Sequence, residues 1–108
     1  MLTIRAEIKF FNPNKSSSIN DGISAKATIR PAFNFGEELL FSGTVESDSE
    51  YETYLYQNVY VAKVKFQTID GEAYEAVKPL IKIGMNLDIQ SGSRIIGEAK
   101  LLGYEYKD

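Results

Sequence analysis

The sequence predicts an all-β protein, a closed barrel or a sandwich assembled from short strands. Period-two alternation recurs in separate segments and turn formers punctuate them at close intervals, while no stretch carries the apolar spacing of an amphipathic helix of useful length. The clearest alternation lies within residues 84–101. There Met85, Leu87 and Ile89 share one parity and Asn86, Asp88 and Gln90 the other, which separates a buried face from a wet one. The turn Ser91-Gly92-Ser93 then leads into a second arm that runs to about Tyr104, completing a hairpin.

Leu2, Ile4, Ala6, Ile8 and Phe10 alternate with Thr3, Arg5, Glu7 and Lys9, so the chain opens on a half-buried strand. Residues 12–22 collect Asn, Pro, Ser, Asp and Gly and read as a solvated loop. Ile23, Ala25, Ala27 and Ile29 restart the alternation until Arg30-Pro31 breaks it. Phe33-Asn34-Phe35-Gly36 steps into a turn. Residues 39–45 form a further strand, in which Leu39-Leu40-Phe41 departs from alternation and indicates a bulge or burial on both sides. Residues 46–52 interleave acids and serines and read as a solvated connection. Tyr60, Ala62, Val64 and Phe66 face inward with Lys63 and Lys65 in water, and Asp70-Gly71 predicts a hairpin turn. Its return arm would hold Ala73, Tyr74, Ala76 and Val77 and end at Pro79.

At 108 residues the chain fits one domain, residues 1–108, with room for a core that needs no staples. A net charge of -3 argues against a broad phosphate-coating surface, since such binding draws on clustered Lys and Arg. The absence of Cys excludes disulfides, thiolate catalysis and Cys-ligated zinc, and the absence of His removes the commonest general base. The first residues alternate apolar and charged side chains where a secretory leader needs an unbroken apolar centre, and no apolar run approaches the ~20 residues of a membrane span. A cytoplasmic protein without membrane contact is the expectation.

Few residues are arranged for catalysis. Asp48, Glu50 and Glu52 lack the order of a calcium-binding loop and read as a solvated edge. Glu37 and Glu38, taken as adjacent strand residues, would point to opposite faces and could not flank one glycosidic bond. The serines have no histidine to activate them. Asn14-Lys15-Ser16 matches a glycosylation acceptor but, without a leader, is read as a polar turn. No cofactor or metal is expected. The aromatic cluster Tyr51, Tyr54, Tyr56 and Tyr60 is a surface candidate, because tyrosine offers broad amphipathic contact area at low rotamer cost, and Tyr51 and Tyr54, beside Glu50 and Glu52, read as exposed. Acid beside tyrosine suits a basic protein partner better than a phosphate-rich one. Tyr60 belongs to the interior by parity.

Two segments resemble a known family. Arg30-Pro31-Ala32-Phe33-Asn34-Phe35 is similar to the Arg-Pro-x-Phe-x-Phe element of the carboxy-terminal domain of translation elongation factor Tu. Residues 84–101 resemble, without a gap, that domain's final hairpin, Gly-Leu-Arg-Phe-Ala-Ile-Arg-Glu-Gly-Gly-Arg-Thr-Val-Gly, with Gly84, Ile89, Gly92, Arg94 and Gly97 retained. Ala6-Glu7-Ile8 is similar to its opening strand. The resemblance implies a small closed antiparallel β-barrel of about six strands, here as a stand-alone domain. Physical roles suit the retained glycines. Gly92 stands where a short hairpin needs positive φ, and Gly97 where a strand needs sharp coiling or close backbone approach.

The family's GTPase activity belongs to another domain, and this chain has no phosphate-cradling Gly-x-x-x-x-Gly-Lys-Ser/Thr loop, so no nucleotide is expected. The resemblance also implies contact with a tRNA stem through the final hairpin and a basic loop. Here the hairpin turn carries Ser91 where the family has a carboxylate, and Asn20-Asp21-Gly22 stands in place of the basic loop. Surfaces that pack against neighbouring domains in the full factor would be open to another partner. The expectation is a non-enzymatic module that docks a protein through Arg30, Ser91, Gly92, Arg94, Tyr51, Tyr54 and Asp21. An RNA-binding domain that contacts a tRNA stem through residues 91–94 is the alternative. For Arg94 the commonest use of such a side chain is a rim salt bridge.

Overall fold

The structure, a computed structural model, describes residues 1–13, 22–24, 30–47 and 53–108. Strand β1 (Leu2–Phe10) buries every second side chain as its sequence predicts, with Leu2, Ile4, Ala6, Ile8 and Phe10 all within the core. It pairs antiparallel on one side with β7 (Val59–Phe66) and on the other with β9 (Arg94–Tyr106), making it an interior stave of the sheet. β9 is the return arm of a hairpin from β8 (Asn86–Ser91), in which Leu87 and Ile89 are 1% and 0% exposed. β3 (Ala32–Asn34) continues the sheet beyond β8 and pairs in turn with β4 (Leu40–Ser42). At the far edge β5 (Thr44–Ser47) lies along β7.

The sheet runs β4-β3-β8-β9-β1-β7-β5, so its first and last strands are separated in the chain by Gly43 alone. The two edges are thus halves of one bent strand. Seven strands then occupy six positions around a nearly closed antiparallel barrel, the architecture expected from the sequence. The bend explains why residues 39–45 depart from alternation: Leu40 to Ser42 serve β3, and Thr44 onward serve β7. Gly43 donates its backbone N–H to the Pro31 carbonyl at 3.0 Å. Inside, Phe33 and Phe35 set their rings edge-on to Phe66 at centroid distances of 5.3 and 5.2 Å, filling the space behind the bent strand that β3 and β7 flank.

A two-stranded ribbon, β2 (Gly22–Ser24) with β6 (Thr53–Leu55), covers one end of the barrel. Its inward anchor is Tyr54, 1% exposed, with its ring 5.9 Å from Phe10 and 5.2 Å from Tyr60. This corrects the expectation of an exposed Tyr54. Thr53 and Leu55 on either side are only half-buried, so the local sequence looks wet, and burial comes from the ribbon folding onto the barrel mouth. Tyr60 points inward as its parity predicts and accepts the Leu55 backbone N–H on its hydroxyl at 3.0 Å.

Three further expectations change. Glu46 and Ser47 belong to β5 rather than to a solvated connection, and Glu46 pairs with Lys65 at 3.2 Å across the strands. Glu37 and Glu38 sit in the exposed turn between β3 and β4, both at positive φ, rather than in a strand. Asp70-Gly71 opens a helix, not a hairpin: α1 (Glu72–Val77) is followed by a single 3-10 turn over Lys78–Leu80. Ala73 and Ala76 are strong helix formers, and Tyr74 and Val77, three apart, share the face that meets the core. Pro79 lies in the 3-10 turn, and the chain is extended again by Ile81.

The helix is held at the end of the barrel opposite the ribbon. Tyr74 stacks on Tyr106 at 3.6 Å, and the Tyr106 hydroxyl accepts the Gly71 N–H while donating to Asp70 at 3.0 Å. The Met1 ammonium also donates to Asp70, at 2.7 Å. That ammonium, and after it the Tyr106 hydroxyl, holds the Asp70 carboxyl below its ordinary pKa. A carboxylate with a depressed folded-state pKa contributes stability above its unfolded-state pKa and loses it as pH falls through the folded-state value. Melting temperatures of the wild type and Asp70→Asn should therefore differ slightly at neutral pH and converge in acid below the ordinary carboxylate range. Identical melts at neutral pH would show that the clasp contributes nothing.

Candidate docking site

The β8–β9 hairpin turns through Gly92 and Ser93, with Ser91 opposite Arg94 as the last pair. Gly92 has φ +61° and Ser93 is not at positive φ, the combination of a type II′ turn whose twist suits the flanking strands. Nothing lies within 4 Å of a Cβ built on Gly92, so backbone conformation alone makes glycine fitting there. At Gly97 the reason is space: a Cβ would stand 2.5 Å from the Lys9 carbonyl oxygen. Both sequence-based roles hold.

Between those glycines β9 carries a bulge. Ile89 pairs with Gly97 and Gln90 with Ile95, leaving Ile96 unmatched. The extra residue breaks parity just below the tip, leaving Ile96 half-buried and Ile95 48% exposed. On the other side of β9 the register with β1 ends at Phe10 opposite Gly97, followed by one bond from the Phe11 N–H to the Ile96 carbonyl at 2.8 Å. Beyond it Pro13 has no N–H to continue the ladder. Where the two chains part there is a cleft of about 260 Å³. Arg94, Ile95 and Ile96 line it from β9, and Phe11, Asn12 and Pro13 from the chain leaving β1. Ile23 of the ribbon and Tyr56 just after it complete the lining.

Arg94 is exposed, and among the described residues no carboxylate pairs with it. The rim salt bridge expected of it is therefore not found there. Lys9, nearby on β1, differs: it pairs with Glu98 at 3.4 Å. The cleft thus combines a guanidinium with apolar walls and no lining carboxylate among the described residues. Such a surface can hold a large apolar group beside an anion.

The structure brings four of the seven predicted residues to one end. Ser91, Gly92 and Arg94 form the tip. Arg30 joins them through register, since Ala32 pairs with Gln90 and the two chains extend past that pair to Arg30 and Gly92. Arg30 is exposed. Tyr54 lies near this end but inside it, as a plug. Asp21 and Tyr51 lie outside the described residues, as do Asp48, Glu50, Glu52, the Asn14-Lys15-Ser16 turn and positions 25–29 of the strand predicted from Ile23. Sequence reasoning missed Phe11, Pro13, Ile23 and the role of Ile95 and Ile96, whereas Tyr56 belongs to the tyrosine cluster it named as a surface candidate. One signal was present: Ile95-Ile96-Gly97 interrupts period two immediately after a turn, which is how a bulge reads. Among the described residues no helix is long and apolar enough to cross a membrane. No protein-family model matches the chain, and no curated protein matches it either.

Proposed function

We propose that this barrel is a non-enzymatic binding module, similar to the carboxy-terminal domain of elongation factor Tu, that docks a protein partner through the end bearing the β8–β9 tip. The observation that carries the reading is the cleft beside Arg94, where exposed apolar side chains and a guanidinium without an ion-pair partner among the described residues meet at a parting of two strands. Interfaces concentrate their energy in such spots, an apolar anchor beside an arginine, more than in broad area. The tip is built on paired strands, with Ser91 opposite Arg94, so its backbone is largely ordered before it binds.

Affinity capture with the purified chain tests this. Arg94→Glu leaves the core untouched and reverses the charge at the cleft, so recovery of a wild-type partner should fall by about tenfold or more. Recovery of the same proteins in the same amounts by wild type and Arg94→Glu would place docking elsewhere and overturn the reading.

The placement of Arg30 beside the same tip supports a second reading, contact with a tRNA stem. It makes a different prediction. tRNA affinity should fall steeply with salt, and Arg94→Ala should reduce the slope of log affinity against log salt by about 1. Absence of tRNA binding at low salt would eliminate it.

A further inference from the structure

On the docking reading above, we infer that the cleft beside Arg94 takes an extended peptide segment in which a large apolar side chain is flanked by a carboxylate. Three features converge on that occupant. First, charge: the one charged side chain among the described lining residues is Arg94, which has no carboxylate partner among the described residues, and register brings Arg30 to the same rim. Arg94 and Arg30 set two cations on this rim of a chain whose net charge is -3, and a partner's carboxylate complements them.

Second, size and lining. At about 260 Å³ the cleft lies below the roughly 300–1,000 Å³ of sites that engulf a small-molecule ligand, and it suits one anchoring side chain better than a cofactor. Phe11, Pro13, Ile23 and Tyr56 offer that anchor apolar and aromatic walls. Third, shape. Arg94 and Ile95 pair with Ser91 and Gln90 of β8, whereas the β1 register stops at Gly97. Beyond the Phe11–Ile96 bond, no strand among the described residues pairs with the β1-side edge of β9 at Arg94 and Ile95, and an extended segment can run along it while its side chain enters.

Methyl NMR of the full chain, following the isoleucine δ1 groups, tests this with three capped pentapeptides: Gly-Asp-Phe-Asp-Gly, Gly-Lys-Phe-Lys-Gly and Gly-Asp-Ala-Asp-Gly. The first should produce saturable shifts at Ile23, Ile95 and Ile96 and leave Ile89 in the core unmoved. The other two should bind at least about tenfold more weakly, one lacking the charge match and the other the anchor. In Arg94→Glu, with the Ile89 signal reporting an intact fold, the preference should reverse towards the lysine peptide. The inference is overturned by equal responses to all three peptides, by no saturable shift, by unchanged preference in Arg94→Glu, or by a response to tRNA alone. Shifts that follow protein concentration without peptide would also overturn it, because a second copy would then fill the cleft. If the peptides fail while Arg94→Glu still abolishes partner capture, this occupant is wrong and the docking reading stands. If capture ignores Arg94→Glu, the docking reading itself has failed.

Discussion

Replacing Tyr54 with alanine is expected to lower the free energy of unfolding by about 3–5 kcal/mol, the range for truncating a large aromatic side chain in a packed core. The ring is 1% exposed and meets Phe10 and Tyr60, so its loss would leave a cavity where the ribbon covers the barrel. With total stabilities of about 5–15 kcal/mol typical, that loss would remove a large share of what holds a domain of this size. Tyr54→Phe keeps the ring and should cost far less. Urea titrations of both variants measure the difference through the transition midpoint. An unchanged midpoint for Tyr54→Ala would mean that the ring is not buried, and would restore Tyr54 as a candidate contact residue. Because the variant acts on the fold, loss of partner capture in Tyr54→Ala says nothing about the interface unless Tyr54→Phe loses it too.

Tyr54 also shows where reading from sequence ends. β1 and β8 were readable because strand parity is a local property: Leu2 through Phe10 and Leu87 with Ile89 declare their faces within one segment. The fate of Tyr54 depends instead on Phe10 and Tyr60, one of them far away in the chain, and its immediate surroundings suggest exposure. The Asp70-Gly71 pair failed differently. A residue at φ +52° can start a hairpin or lead into a helix, and what decided was the core contact of Tyr74 and Val77 together with the stack on Tyr106. For the candidate site the tip was readable from Gly92 and the polar turn. The cleft was not, since Phe11, Ile23, Tyr56 and Ile95 meet only when the ribbon caps the barrel and β1 leaves β9. Closure of the barrel through one bent strand was hidden likewise, showing in the sequence only as the irregular Leu39-Leu40-Phe41.

That closure gives the other large expected effect. Gly43 is the hinge between β4 and β5 and is buried, and a Cβ placed on it would stand 2.5 Å from Val64 Cγ1 and 2.7 Å from Phe66 Cε1. Its φ is not in the left-handed region, so an L-residue meets no backbone penalty there and any loss of stability is steric. Val64 and Phe66 cannot retreat freely, because both are fully buried and Phe66 is held edge-on by Phe33 and Phe35. Gly43→Ala should therefore cost about 1–3 kcal/mol, as overpacking of a filled core does, and Gly43→Val more. Gly92→Ala makes the contrast: with open space around it, its cost comes from the left-handed φ alone, roughly 1–2 kcal/mol. Rescue separates the two mechanisms. Val64→Ala should recover part of the stability lost in Gly43→Ala by vacating the atom that the new methyl strikes, a coupling that a double-mutant cycle would detect, whereas it should do nothing for Gly92→Ala. Additive effects of Gly43→Ala and Val64→Ala would show that β4 and β5 do not close over Val64, and the barrel would then be an open sheet with two free edges.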